Sequence, residues 1–163
     1  MLRIIDIMFA IVYIVVVDGG TKMPYREKTA WLSLLAMVVT FGPYFALVAT
    51  RALPSEPSPN LRQLGLFAVT AIVEMLILGV GHLYLRHRST QEARMPLDER
   101  DQVIMRRSLS SAYYVLIAGM ILVGCVMPFN SSGWSIINAA LFMIIAAEVV
   151  HYGVVVFSYR RQA

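Results

Sequence analysis

The chain is 163 residues long, and 58% of its residues are hydrophobic while only 15% are charged. Its mean hydropathy is +0.67. A water-soluble fold of this length could not bury that much apolar surface, so the composition excludes the usual soluble classes and indicates one membrane-embedded unit. The one cysteine, Cys125, excludes an intrachain disulfide, and we interpret it as a buried thiol.

The N-terminal segment, residues 1–22, is hydrophobic but ambiguous. Its apolar stretch, Leu2 to Val17, contains Arg3 and Asp6, is shorter than the roughly 20 residues that cross a bilayer, and lacks the cleavage site of a signal peptide. It could be a fifth span, an interfacial helix or an uncleaved anchor. A further alternative is that translation begins at Met23 and residues 1–22 are a mis-assigned start.

Four later blocks are each long enough and apolar enough to cross roughly 30 Å of hydrocarbon as a helix. They run from Ala30 to Thr50, Leu64 to Leu85, Ser110 to Pro128 and Ser135 to Phe157. Barrel strands would show short segments of alternating polarity instead. The sequence therefore predicts an all-α fold, an integral membrane bundle of four transmembrane helices, with an extra N-terminal hydrophobic helix as an open alternative.

Basic residues are distributed unevenly between the two sides of this bundle. The turn from Phe129 to Trp134 has none, whereas the loop after the second block has six: Arg86, Arg88, Arg94, Arg100, Arg106 and Arg107. Because Lys and Arg are retained in the cytoplasm, the segment before the first block, the loop after the second block and the C-terminus are predicted to be cytoplasmic, in a multi-pass protein of the cell membrane. The net charge of +4 indicates contact with the lipid bilayer and not nucleic-acid binding.

The loop after the second block contains the sequence Asp98-Glu99-Arg100-Asp101. Asp98 is suited to cap a helix, and Glu99 and Asp101 then lie in its first turn, against the positive end of the helix dipole. The third helix is therefore predicted to begin near Glu99 and to run without a break into its span. Capping and membrane anchoring explain these residues, and an interaction surface is the alternative.

The same motif carries a resemblance. The chain resembles a family of small uncharacterised bacterial membrane proteins with four helices and an Asp-Glu-Arg-Asp motif opening the third. The likeness begins at Met23 and rests on Glu27-Lys28, Trp31, Asp98 to Asp101, Ile104, Arg107, Ala112-Tyr113, Val115-Leu116, Trp134, Ile136, Asn138, Glu148 and Tyr159 to Arg161. The resemblance implies a four-helix protein of a bacterial inner membrane and implies no activity.

Ionisable residues within the spans are the candidate functional groups, because each is costly in lipid unless it faces protein or water. Glu74 and Glu148 are expected near mid-membrane, facing the bundle interior as neutral carboxyls. His82 and His151 are expected near the cytoplasmic boundary. Three interpretations stay open: hydrogen bonds that pack helices, a proton or ion path, and a metal site, which would need further ligands that this chain lacks unless a homodimer supplies them.

A stripe of small residues on the fourth helix, Ala139, Ala146 and Gly153, would let another backbone come close. It indicates a second subunit or a partner membrane protein. Aromatic residues near the predicted boundaries, among them Trp31, Trp134 and Tyr159, are interpreted as interfacial anchors.

The sequence contains no phosphate-binding loop, no paired metal motif and no nucleophile with a base, so we expect no catalytic residues, no cofactor and no enzyme. The leading prediction is a non-enzymatic accessory or interaction protein of the membrane. The alternative is a small proton- or ion-linked transporter that uses the Glu and His residues.

Overall fold

The computed structural model describes residues 23–50, 60–131 and 133–161. The expectations for residues 1–22 lie outside these ranges. The described part contains five α-helices: α1 Tyr25–Ala49, α2 Leu61–Arg88, α3 Thr90–Arg94, α4 Glu99–Ile121 and α5 Gly133–Arg161. Beyond Ile121, α4 continues as a π-helical turn, Leu122–Val126, and a 3₁₀ turn, Met127–Phe129.

Four of these helices are long and apolar enough to span a membrane: α1, α2, α4 with its continuation to Phe129, and α5. The predicted all-α membrane bundle is therefore confirmed. Side chains cap the starts of two helices, α2 and α4. The Asn60 side chain accepts from the backbone of Gln63 at the start of α2, and arginines lie in the last turns of α2 and α5, where positive charge complements the helix dipole.

The interruption of α4 at Leu122 was not predicted. Pro128 has no backbone N–H, so it cannot donate to the carbonyl of Gly124, and the regular hydrogen-bond ladder loosens in the turns around it. Cys125 lies in this segment and is exposed. The expectation of a buried thiol was wrong, because no other helix of the described ranges covers the side on which Cys125 lies.

The helices pack in the order α2, α1, α5, α4, since α1 contacts α2 and α5 and α5 also contacts α4. Helix α1 is the most enclosed of the four spanning helices. In its most apolar stretch 39% of the residues are buried within the bundle, against 6% in that of α2. Helices α1 and α4 begin, and α2 and α5 end, at the same end of the bundle. We call this the basic end, because arginines from all four helices lie there.

Candidate functional site

The Asp98 to Asp101 motif begins α4 as predicted. Asp98 Oδ1 accepts a hydrogen bond of 2.7 Å from the backbone N–H of Glu99, the first residue of the helix. Glu99 and Asp101 lie in the first turn. Glu99 and Arg100 are exposed, but Asp101 is half-buried, which shows that the last residue of the motif faces the rest of the bundle.

Asp101 joins three helices at the basic end. Its carboxylate lies 3.1 Å from the guanidinium of Arg26 on α1 and accepts a hydrogen bond from the hydroxyl of Tyr159 on α5. Arg26 also donates to the carbonyl of Met95 at 3.1 Å. Capping and anchoring therefore do not account for the whole motif. One of its two acidic first-turn residues holds the helices together.

A second set of contacts joins α1 to α5 nearby. The guanidinium of Arg160 lies 4.9 Å from the centre of the Trp31 ring and 3.9 Å from the carboxylate of Glu27. Cation–π contacts of this kind are weakly attractive at exposed sites, and Arg160 is exposed. The interpretation of Tyr159 as an interfacial anchor was wrong, because its ring is buried and its hydroxyl is used inside the bundle. We call Arg26, Glu27, Asp101, Tyr159 and Arg160 the basic-end cluster.

A cavity of about 110 Å³ lies beside this cluster and has walls from all four spanning helices. His82 and His151 both line it, together with Tyr152. The Nδ1 of His82 is 2.8 Å from the carbonyl of Leu78, and since a carbonyl only accepts, this nitrogen carries the proton. The Nδ1 of His151 is buried and has no hydrogen-bond partner among the described residues. The structure thus brings the two histidines to one cavity.

Glu74 lies in the interior, as predicted, and its side chain is only 5% exposed. Its Oε2 is 2.5 Å from the Thr40 hydroxyl on α1, and its Oε1 has no partner within the described part of the chain. His82 follows two turns later on the same helix, about 12 Å further along at about 1.5 Å per residue. Within the described ranges no hydrogen bond links Glu74 to that histidine.

Glu148 does not face the interior. Its side chain is exposed, so the prediction of an inward carboxyl was wrong. The reason lies in the packing of α5. Ile137, Ile144, Glu148 and Val155 fall within about 40° on the helix, at about 100° per residue. Val155 is buried at the basic end, whereas Ile137 and Ile144 are exposed. The other described helices cover this stripe at the basic end and leave it open beyond. Among the described residues no hydrogen bond joins Glu74 to Glu148.

A polar network at the end opposite the basic end was not foreseen. The Gln63 side chain of α2 accepts from Trp134 at 2.5 Å and from Asn138 at 3.0 Å, both on α5. Asn138 in turn accepts from the Tyr44 hydroxyl of α1 at 2.8 Å. The sequence signal was present, since Gln63 and Asn138 are amides within or beside apolar blocks, but neutral amides are less costly in lipid than ionisable groups and mark a site less clearly.

The small-residue stripe of Ala139, Ala146 and Gly153 lies on the opposite side of α5 from Glu148. The three residues are half-buried, and a side chain added at Gly153 would meet no atom within 4 Å. At Gly153, therefore, none of the described residues packs closely against the stripe. The predicted role of the stripe in association stays a prediction.

Among the described residues, no group of three or more His, Cys, Asp or Glu side chains is placed to hold a metal ion. Comparisons with protein-family models, curated proteins and solved structures found no match. The family resemblance carried by Asp98 to Asp101 accordingly stays a prediction.

Proposed function

We propose that this chain is a non-enzymatic membrane protein that acts by associating with another membrane-spanning segment. The observation that supports this most is the exposed position of Glu148. It lies near the middle of α5, about 20 Å from either end at about 1.5 Å per residue. A carboxyl at this depth is unfavourable in lipid even when neutral, because its donor and acceptor are left without partners.

The partner we propose is a second copy of the chain. A two-fold interface would bring the exposed stripe of Ile137, Ile144 and Glu148 against the same stripe of the other copy. Two neutral carboxyls facing each other can exchange hydrogen bonds, so each would satisfy the other. Helix pairs in membranes gain about 1 to 2 kcal/mol from such polar contacts in model peptides. Apolar Ile144 and Ile137 would supply the packing around them.

Cysteine crosslinking in native membranes tests this proposal. Cys125 is first replaced by Ser, and Ile144→Cys or Ala146→Cys is then introduced at nearly the same depth on opposite sides of α5. Oxidation is expected to produce a disulfide-linked dimer from Ile144→Cys and not from Ala146→Cys. In the Ile144→Cys background, Glu148→Gln is expected to retain dimer formation, whereas Glu148→Leu is expected to reduce it.

Two results would contradict the proposed interface. Dimers formed only by Ala146→Cys would move the contact to the small-residue stripe. Monomers from both variants would exclude a homodimer on either face, and Glu148 would then need a different protein as its partner.

The orientation is part of the same proposal. We infer that the basic end, with the C-terminus, lies in the cytoplasm of a bacterial cell and that the chain resides in the cytoplasmic membrane. The excess of arginine at this end supports it, because positive residues near helix ends are retained on the cytoplasmic side.

A proton- or ion-linked transporter is the second candidate, and the cavity between His82 and His151 is the observation that favours it. Histidines can exchange protons near neutral pH, and Glu74 lies deeper in the bundle. The absence of a hydrogen-bonded connection from Glu74 to the cavity within the described residues places this candidate second. Proton flux in liposomes that is lost in Glu74→Gln, with folding unchanged, would favour the transporter.

A further inference from the structure

A second cavity, of about 170 Å³, opens at the basic end between α4 and α5. It lies on the side of α5 away from the basic-end cluster, because Ser158 and Arg161 are rotated by roughly 100 to 160° from Tyr159. Its walls combine two guanidinium groups, two hydroxyls and two apolar side chains: Arg107, Ser111, Val154, Phe157, Ser158 and Arg161.

The two arginines of this cavity are available to a ligand. Arg107 and Arg161 are exposed and form no ion pair with a carboxylate among the described residues, where the ion pairs involve Arg26 and Arg160 instead. A guanidinium presents a planar set of donors that matches the oxygens of a phosphate group. Positive charge from two helices therefore converges on one concave space, and no carboxylate of the described residues pairs with it.

One of the two hydroxyls of the cavity completes a site for an anion. Ser111 donates to the carbonyl of Arg107 at 3.0 Å, which fixes its position within α4. The Ser158 hydroxyl makes no hydrogen bond within the described part of the chain, so its proton can be donated to an incoming oxygen.

The apolar residues of the cavity extend towards the middle of the membrane. Phe157 and Val154 precede Arg161 on α5 by about 6 and 10 Å, at about 1.5 Å per residue. Phe157 is 65% exposed. The cavity thus has a cationic part at the helix ends and an apolar part alongside the span, which is the arrangement of phosphate and acyl chain in a phospholipid.

We propose that this cavity binds the phosphodiester group of an anionic phospholipid. Arg107, Arg161 and Ser158 hold the phosphate oxygens, and Phe157 with Val154 lies along the first part of an acyl chain. Basic pockets between spanning helices bind lipid head groups by this combination of charge and apolar contact. A free phosphate would use the same donors but would gain nothing from Phe157.

Native mass spectrometry of the full chain in detergent tests the proposal, with phosphatidylglycerol, phosphatidylcholine or inorganic phosphate as the probe. One phosphatidylglycerol per chain is expected to be retained, at least about tenfold more tightly than phosphatidylcholine, because the choline cation offsets the phosphate charge and is repelled by the two arginines. Replacing both cavity arginines, in Arg107→Gln/Arg161→Gln, is expected to weaken this binding about tenfold or more. Arg107→Lys/Arg161→Lys keeps the charge and is expected to retain part of the binding.

The matched control is Arg86→Gln/Arg106→Gln, which removes the same charge from exposed arginines outside the cavity. An equal loss of lipid in this control would overturn the proposal, because the binding would then follow net charge and not the cavity. Phe157→Ser separates the two sources of phosphate. It is expected to weaken the binding of phosphatidylglycerol and to leave the binding of inorganic phosphate unchanged. A lipid site would be contradicted if inorganic phosphate bound as tightly as phosphatidylglycerol and Phe157→Ser changed the binding of neither.

Discussion

The Thr40 hydroxyl lies 2.5 Å from Glu74 Oε2 and 2.9 Å from the carbonyl of Ala36. A hydroxyl has one proton, and both neighbours are acceptors when Glu74 is ionised. If Thr40 donates to Ala36, as threonines in helices commonly do, the proton between Thr40 and Glu74 must come from the carboxyl. This arrangement accommodates a neutral Glu74, which an apolar bundle interior also favours.

The first prediction is that Glu74→Gln preserves the fold. Glutamine has nearly the same shape and can donate to Thr40 as a neutral carboxyl would, so the melting temperature in detergent is expected to change by only a few degrees. Glu74→Leu removes the donor and acceptor and leaves the Thr40 hydroxyl without this partner, at a cost of about 1 to 3 kcal/mol. A large loss of stability in Glu74→Gln, equal to that in Glu74→Leu, would show that the negative charge itself is needed.

The second prediction concerns the ion pair between Arg26 and Asp101. A double-mutant cycle with Arg26→Ala and Asp101→Ala is expected to give a coupling free energy of about 0.5 to 3 kcal/mol, because the two residues are in direct contact and partly shielded from solvent. Chemical denaturation in mild detergent would measure it.

The control for this cycle is Glu99→Ala in the same first turn of α4. Glu99 is exposed, so its loss removes only a helix-dipole contribution of about 0.3 to 1 kcal/mol. If Asp101→Ala costs no more than Glu99→Ala and shows no coupling to Arg26, Asp101 acts only on its own helix and the basic-end cluster does not stabilise the bundle.

The third prediction compares two glycines on α2. A side chain at Gly81 would lie 2.6 Å from the fully buried Leu32 of α1, whereas one at Gly79 would meet no atom within 4 Å. Gly81→Ala is expected to destabilise the α1–α2 contact by about 1 to 3 kcal/mol. Gly79→Ala is expected to be neutral or slightly stabilising, since alanine favours a helix. Equal melting temperatures for the two variants would show that α1 and α2 can separate there at little cost.

The sequence predicted the elements of this fold well, because length and apolarity decide which segments cross a bilayer. It also located the start of α4, since a cap is a local feature of Asp98 and its neighbours. It could not locate Glu148 relative to the other helices. Periodicity gives the angle of a residue on its own helix but not which part of that face another helix covers, and the stripe that contains Glu148 is covered only at one end.

The partners of Asp101 were missed for a related reason. The residues that meet it, Arg26 and Tyr159, are distant in the chain. Tyr159 had a sufficient local interpretation as an interfacial anchor, and Arg26 is a positive residue near a helix end, which membrane topology alone explains. The Gln63, Asn138 and Tyr44 network was missed because neutral amides seldom mark a functional site by residue type alone. In both cases the information lies in contacts between helices, which composition and spacing do not specify.

The last prediction concerns the orientation of the chain in the membrane. The packing of the helices determines which segments lie on the same side, and the charge distribution determines which side that is. Because α2 ends and α5 ends at the basic end, reporter fusions after Arg88 and after Arg161 must report the same side of the membrane. The arginines at that end predict that this side is the cytoplasm. Pro57 falls in the sequence between α1 and α2, so a fusion after it is expected to report the exterior. A phosphatase reporter, active only outside, and a fluorescent reporter, which folds inside, would measure each position twice.

Opposite results after Arg88 and Arg161 would contradict the bundle itself. An exterior result at both would keep the bundle and reverse its orientation, and the lipid proposed to bind Arg107 and Arg161 would then belong to the outer leaflet.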